Sequence, residues 1–152
     1  MKRILLIGLL SLSSSWATAQ EPFARFEFPI GNWQGVETGV PGEGIGFRNY
    51  RYELNRNYIF MNNTSTFPIS AEYPRGEVHR DFTVVSYNSN NSSIVLRQFH
   101  VEGYTNIYLL DESLSSDERF VFISREIENN PGNWIARLVL TRPLSTRQRL
   151  VA

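Results

Sequence analysis

Eight short segments of strand-forming residues, separated by turns rich in Gly, Pro, Asn and Ser, constrain the fold of this chain most strongly. Many of them alternate apolar and polar side chains, the period of a β-strand, and no helical period follows position 20. Segments joined by hairpin turns predict an all-β, up-and-down antiparallel β-barrel; a β-sandwich, the alternative, would need longer crossover connections. The predicted strands are 32–39, 46–54, 58–67, 77–87, 93–102, 104–111, 119–128 and 133–141.

The first nineteen residues have the pattern of a signal peptide. Lys2 and Arg3 precede an apolar run, 4–12, that is too short to span a membrane as a helix. Small residues at 17 and 19 then offer a cleavage site. We therefore expect an exported protein, periplasmic or secreted, with no transmembrane segment after signal removal. Its β-barrel domain would span 20–142, and the absence of Cys means that no disulfide stabilises it.

Charge is distributed unevenly along the chain. Beyond the predicted signal peptide there are 13 Arg, no Lys and 15 acidic residues, and this acidic balance argues against a nucleic-acid partner. The last acidic residue is Glu128, and the basic tail 143–152 has no clear strand or helix pattern. A closed barrel needs its last strand to pair with its first, so we expect this tail to reflect a truncated or frame-shifted end that lacks the closing strands.

The segment 96–108 combines strand-forming residues with an unusual number of polar ones. It is predicted to form the end of one strand, a tight turn at Gly103 and the start of the next strand. In a regular strand, alternate side chains share a face, so both faces here mix polar with apolar residues: Arg97, Phe99 and Val101 lie on one face, and Gln98, His100 and Glu102 follow Leu96 on the other. A barrel with a polar-lined internal cavity explains this pattern economically.

Two arginines in mid-strand are candidate ligand contacts. If Arg80 or Arg97 faces the lumen, its guanidinium has the geometry to bind a carboxylate or a phosphate. The alternative is an internal ion pair, Arg80 with Glu102 or Arg97 with Asp81, because an unpaired buried Arg is costly.

His100 is the next candidate, as a ligand contact, a proton carrier or an axial metal ligand. It shares a face with Glu102, which places the two side chains within reach of each other. The alternative is a hydrogen-bonded core histidine. His79, His100 and Glu102 are ligand types found at catalytic zinc sites, but their spacing is not diagnostic and no metal site is predicted.

Aromatic residues complete the set of predicted contacts. Tyr108 has an apolar ring and a polar tip suited to a pocket wall, and Trp33 is included as a ligand contact although core packing is the commoner role of such a residue. Trp134 is likewise expected to pack in the core. The predicted ligand-binding residues are Arg80, Arg97, His100, Glu102, Tyr108 and Trp33.

Three stretches of the chain resemble exported bacterial β-barrel proteins. They are Gly-Asn-Trp-Gln-Gly at 31–35, Gly-Glu-Val-His-Arg-Asp at 76–81, and Arg-Gln-Phe-His-Val-Glu-Gly at 97–103 together with Asn106 and Tyr108. These proteins are similar to the nitrobindin-like and fatty-acid-binding-protein-like barrels of the calycin group. The Gly-x-Trp-x-Gly start is shared by many calycin barrels, whereas the stretch at 97–103 is more specific to the exported subgroup.

The resemblance covers roughly 31–141 and implies a calycin barrel, of the lipocalin and fatty-acid-binding-protein type, that holds a hydrophobic or haem-like molecule. In nitrobindins a His near the C-terminus holds the haem iron. This chain has no His after His100, so that ligand has no counterpart here and the cofactor is left open.

Non-catalytic binding of a small hydrophobic or amphipathic molecule, lipid-like or haem-like, in the barrel lumen is the predicted function. One alternative is a small hydrolase or isomerase that uses His100 with Glu102 as an acid–base pair. Another is a structural or interaction protein with a filled barrel. A Gly-x-Ser-x-Gly nucleophile motif, Cys and a Gly-rich phosphate loop are absent from the sequence, which favours binding over catalysis. The sequence does not indicate the oligomeric state.

Overall fold

The computed structural model describes residues 22–130 and 132–143, and the backbone of 149–150. Two short 3₁₀ helices, Ala24–Glu27 and Glu112–Leu114, accompany nine β-strands. The predicted signal peptide and most of the tail lie outside the described residues. The strands are β1 (Gly31–Gly39), β2 (Gly42–Glu53), β3 (Tyr58–Phe67), β4 (Glu77–Asn88), β5 (Ser93–His100), β6 (Thr105–Leu110), β7 (Arg119–Glu128), β8 (Arg137–Thr141) and β9 (Arg149–Leu150).

The strands form one antiparallel sheet in which each of the first eight pairs with its neighbours in sequence. The all-β, up-and-down prediction is therefore confirmed. The sheet curls into a half-barrel. Its edge strands are β8 on one side and β9 on the other. Within the described part of the chain, no helix is long and apolar enough to cross a membrane.

The tail contributes one short element that the sequence did not predict. Arg149 and Leu150 pair with Trp33 and Asn32, so β9 extends the sheet beyond β1. On the opposite edge, Leu138 and Leu140 of β8 line the same internal space as residues of β2 and β3. The curl of the sheet thus places β8 opposite the middle strands, on the other side of the interior.

Three predicted strand boundaries were wrong by two residues or more, and several others differ by one residue. Strand β2 begins at Gly42 instead of 46, because Gly42 pairs directly with Gly39 and only two residues form the turn. Strand β5 ends at His100 instead of 102, since the following residues form the turn to β6. Strand β8 begins at Arg137 instead of 133. Trp134 therefore lies before the strand and is 71% exposed, so its predicted core packing was also wrong.

A plug of N-terminal aromatic residues fills one end of the half-barrel. The ring of Phe26 stacks on Phe120 at 4.1 Å between centroids, and Phe28 stacks on the same ring at 5.0 Å. The indole nitrogen of Trp33 donates a hydrogen bond to the Pro29 carbonyl at 2.7 Å, which ties β1 to the plug.

The interior face of the sheet changes from apolar to polar along the strands. Strand register aligns Ile59, Val85 and Leu96 in one apolar row next to the plug. The same register, four residues further along each strand, aligns Asn63, Asp81 and His100 in a polar row. The half-barrel therefore has an apolar closed end and a polar interior above it.

Replacement of Phe120, which is fully buried in the plug, tests this description. Phe120→Ala should lower the free energy of unfolding by about 3–5 kcal/mol, because it removes a buried ring and leaves a cavity. Urea denaturation followed by circular dichroism measures the change. Phe47→Ala is the matched control: Phe47 is 45% exposed on the outer face, and its loss should cost about 1 kcal/mol or less. Equal losses in the two variants would contradict the assignment of the core.

Candidate functional site

An internal cavity of about 450 Å³ lies above the apolar end, between β1–β5 and β8. Its polar wall comes mainly from β3, β4 and β5, which also contribute Met61 and Phe67, and its apolar wall comes from β8 and the β1–β2 turn. Glu37 and Arg48 add charge to the lining. The polar wall consists of Asn63, Ser65, His79, Asp81, Gln98 and His100, and the apolar wall includes Val40, Pro41, Leu138, Val139 and Leu140. A cavity with one polar and one apolar side suits an amphipathic molecule.

Strand register explains why the polar residues converge. Asp81 of β4 is paired with Asn63 of β3 on one side and with His100 of β5 on the other. His79 lies two residues before Asp81, so its side chain is on the same face of β4. Directly opposite side chains in an antiparallel sheet lie about 4.5–5.5 Å apart at Cβ. Polar residues that are far apart in sequence therefore meet at one place on the interior face.

Both histidines belong to one chain of hydrogen bonds. Asn106 Nδ2 lies 3.2 Å from His100 Nε2, His100 Nδ1 lies 3.5 Å from His79 Nε2, and His79 Nδ1 lies 2.8 Å from Glu102 Oε1. An amide nitrogen can only donate, so His100 Nε2 accepts and its proton resides on Nδ1. His79 Nε2 then accepts from His100, and His79 Nδ1 donates to the carboxylate. One set of neutral tautomers thus satisfies every link.

The chain continues from Asn106 into the sheet. Asn106 Nδ2 also donates to the Tyr108 hydroxyl at 2.8 Å, and that hydroxyl donates to Gln98 Oε1 at 3.2 Å. The ring of Tyr104 stacks on His100 at 4.1 Å between centroids. Tyr104 therefore covers one face of the His100 ring and hydrogen bonds hold both of its nitrogens, which fixes the orientation of the ring.

Several buried acceptors in this region have no hydrogen-bond partner. Asp81 Oδ2 accepts from Asn63 Nδ2 at 2.8 Å, but Asp81 Oδ1 has none, although the Asp81 side chain is only 2% exposed. Buried polar atoms normally find partners, and each one left alone costs about 1–3 kcal/mol. The unpartnered oxygen atoms are Asn63 Oδ1, Asp81 Oδ1, Thr83 Oγ1 and Asn106 Oδ1. Such a group of acceptors suits a ligand that brings hydrogen-bond donors or positive charge.

Burial shifts the proton affinity of several groups in the cavity wall. It lowers the pKa of His100, an effect that the Asp81 charge opposes and the neighbouring His79 reinforces. Burial also raises the pKa of Tyr50 to about 12, against the opposing effect of Arg48. The pKa of Tyr108 is raised by burial as well. At neutral pH His100 is therefore an uncharged imidazole and the tyrosines keep their protons.

The structure brings together only part of the predicted site. His100 and Tyr108 lie on the interior face, and Glu102 reaches the same cluster from the β5–β6 turn. Trp33 lies beside a separate, smaller space of about 200 Å³ near the plug.

Arg80 and Arg97 both lie on the outer face and are exposed. Arg97 Nη1 donates to Ser86 Oγ at 3.0 Å on that face. Asp81, the alternative partner considered for Arg97, lies on the interior face and is bonded to Asn63. The two guanidinium groups therefore do not reach the cavity.

The expected contact between His100 and Glu102 is replaced by a different pair. Because β5 ends at His100, Glu102 lies in a turn, and its carboxylate binds His79 instead. Sequence reasoning also omitted Asn63 and Asp81 from the predicted site. Their signal was present in the alternation of β4, where His79, Asp81, Thr83 and Val85 share one face, but the sequence did not show that this face points inward.

The residues of the cavity do not fit haem. Three carboxylates line the cavity and would repel the haem propionates: Glu37, Glu77 and Asp81. Arg48, which also lines it, is bonded to Glu37.

Comparison of the chain with known proteins gives no direct guide to this site. No protein-family model, no curated protein and no solved structure matches it. The functional argument therefore depends on the residues and their geometry.

The lowered pKa of His100 predicts how stability depends on pH. The unfolded chain protonates this residue near its ordinary value of about 6.5, whereas the folded chain does so only at lower pH. As the pH falls through that value the unfolded state takes up more protons, so the free energy of unfolding decreases. His100→Gln should remove this contribution, and its stability should decline less than that of the wild type between about pH 7 and pH 5.

Denaturation curves at several pH values measure this difference. Nuclear magnetic resonance titration of the His100 imidazole provides the direct control. A His100 pKa at or above that of an unstructured histidine would contradict the burial of this ring.

Proposed function

We propose that this protein binds a small amphipathic molecule inside its half-barrel and does not transform it. The observation that carries the proposal is the cavity of about 450 Å³ with a polar wall, an apolar wall and unpartnered buried acceptors. The cavity supports ligand binding over a filled barrel. Unpartnered acceptors and carboxylates favour a polar head group that donates hydrogen bonds or carries positive charge.

We also propose that the fold is of the calycin type and that the protein is exported. The curled up-and-down sheet is compatible with a calycin barrel, and the Gly-x-Trp-x-Gly start falls on β1, where calycin barrels carry it. Export rests on the basic, apolar and small-residue pattern of the first nineteen residues. A carrier outside the cytoplasm, with no Cys to oxidise, is consistent with both.

A neutral fluorescent amine tests the binding proposal. N-phenyl-1-naphthylamine has two aromatic groups and one N–H donor, and its fluorescence rises on transfer from water to an apolar site. We expect saturable binding to the wild-type chain. Ser65→Trp should weaken it at least tenfold, because Ser65 lines the cavity and a bulky ring there occupies the space.

Thr66→Trp is the matched control for the same experiment. Thr66 neighbours Ser65 on β3 but is exposed on the outer face, so this variant should bind the amine like the wild type. Circular dichroism establishes that both variants are folded. Equal binding by the two variants, or no binding by the wild type, would refute the cavity as the site.

The carboxylates of the cavity predict that it binds a neutral molecule more tightly than an anionic one. A second dye tests this preference. The dye 1-anilinonaphthalene-8-sulfonate has the same aromatic scaffold with an added sulfonate, which the carboxylates of Glu37, Glu77 and Asp81 disfavour. It should therefore bind more weakly than the neutral amine in the wild type. Tighter binding of the sulfonate would show that the head-group assignment is wrong, while leaving the cavity as a binding site.

A further inference from the structure

We propose that His79 and His100, with the carboxylates of Asp81 and Glu102, form a binding site for a divalent transition-metal ion such as Zn²⁺. Imidazole nitrogens and carboxylate oxygens are ligands that this ion prefers. One ligand atom from each of His79, His100 and Glu102 lies within 4.8 Å of the other two. The inference does not depend on the amphipathic ligand, because the metal ion alone is bound and measured.

Two of the distances from His79 Nε2 to candidate ligand atoms are close to those of a tetrahedral site. His79 Nε2 lies 3.5 Å from His100 Nδ1 and 3.7 Å from Asp81 Oδ2. Ligand atoms placed 2.0–2.1 Å from a tetrahedral ion are about 3.3 Å apart. Shifts of a few tenths of an ångström would bring each of these two pairs to that spacing, and side-chain rotation would complete the site around the ion. The hydrogen bond that the ion displaces between the two histidines is long, so little is lost.

Glu102 is positioned to support His79 as a ligand. With Nε2 on the metal, the remaining proton of His79 lies on Nδ1, which is 2.8 Å from Glu102 Oε1. A metal-bound histidine usually donates its other N–H to a carboxylate, which fixes the ring and strengthens the ligand. The side chain of Glu102 is 47% exposed, so its turn has room to move the carboxylate onto the ion as well.

Asn106 can adapt to the change of His100 tautomer that metal binding requires. With Nδ1 on the metal, His100 carries its proton on Nε2 and needs an acceptor there. Asn106 lies at that position, and its Oδ1 is buried without a partner. A half-turn of this amide places the oxygen where it accepts from His100 Nε2, and the Tyr108 hydroxyl then turns its proton from Gln98 to the same oxygen. Asn106 can therefore serve either tautomer of His100.

Charge gives a second, independent reason for a cation here. Asp81 is a carboxylate with a side chain only 2% exposed, and one of its oxygens has no hydrogen-bond partner. A buried charge is costly unless an opposite charge accompanies it. Two carboxylates and two neutral imidazoles balance a doubly charged ion. The same residues without a cation leave the Asp81 charge under-compensated.

Titration of the full chain, made without a polyhistidine tag and stripped with a chelator, tests the site. Isothermal titration calorimetry with Zn²⁺ should show one saturable site, and Co²⁺ should give the visible absorption bands of a tetrahedral centre. Mg²⁺ should not compete, since it prefers oxygen ligands and octahedral geometry. His79→Gln and His100→Gln should each weaken Zn²⁺ binding by more than the roughly 10- to 100-fold expected for Glu102→Gln, which removes a supporting carboxylate.

Glu77→Gln is the matched control for these variants. Glu77 lies two residues before His79 on the same face of β4 and lines the same cavity, so its neutralisation removes charge without removing a ligand. Its Zn²⁺ affinity should fall far less than that of either histidine variant, because only a nearby charge is lost. Circular dichroism identifies any variant that fails to fold.

A nuclear magnetic resonance titration of the wild type covers the case in which a histidine variant does not fold. Zn²⁺ should shift the imidazole signals of both histidines. Absence of saturable binding, unchanged affinity in folded histidine variants, or unshifted imidazole signals would each overturn the proposal. Binding of N-phenyl-1-naphthylamine, measured on the same sample, separates failure of the metal site from failure of the carrier function.

Discussion

The register that joins β3, β4 and β5 determines what the interior of this protein contains. It pairs Asp81 with Asn63 and with His100, and it places Thr83 between that polar row and the apolar row at the plug. A slip of one residue in β4 would turn Phe82 inward and the Asp81 carboxylate outward. The cavity, the histidine chain and the unpartnered acceptors all depend on this one alignment.

The outer face of the same strands helps to hold that alignment. Phe60 meets Phe82 edge to face at 5.3 Å, and Phe82 stacks on Phe99 at 6.2 Å between centroids. Cross-strand aromatic pairs of this kind stabilise a sheet by a few tenths to about 1 kcal/mol each. The mixture of polar and apolar residues on both faces therefore has two explanations. The inner polar residues form the cavity wall, whereas the outer aromatic residues bridge the strands.

Much of the fold could be predicted from the sequence because the relevant signals are local. Alternation and turn residues located β3 and β7 without error, and the strand parity assigned His100 and Gln98 to one face. The errors have a common physical origin. Strand ends depend on pairing with a neighbour, which moved Glu102 into a turn and left Trp134 outside β8.

The site was harder to predict because it depends on the direction of curl. Parity divides β4 into two sets of residues, but either set could face inward until the whole sheet is assembled. Arg80 and Asp81 compete for this position, and bulk alone does not decide between them. The plug contacts at one end of the sheet select the face that carries Asp81, since the apolar row of that face continues into Phe120 and Phe122.

Under the proposed binding function, the polar interior links the stability of the protein to its ligand. A buried acceptor that no group satisfies costs about 1–3 kcal/mol, a large fraction of the 5–15 kcal/mol that stabilises an average domain. A ligand that binds only the folded chain adds about 2.7 kcal/mol when its concentration is 100 times Kd. A molecule or ion that satisfies Asp81 and its neighbours would offset the cost that their burial imposes. Apolar residues at these positions would give a more stable half-barrel without that dependence, so the buried carboxylate beside two histidines is the feature that the proposed binding function explains and that packing alone does not.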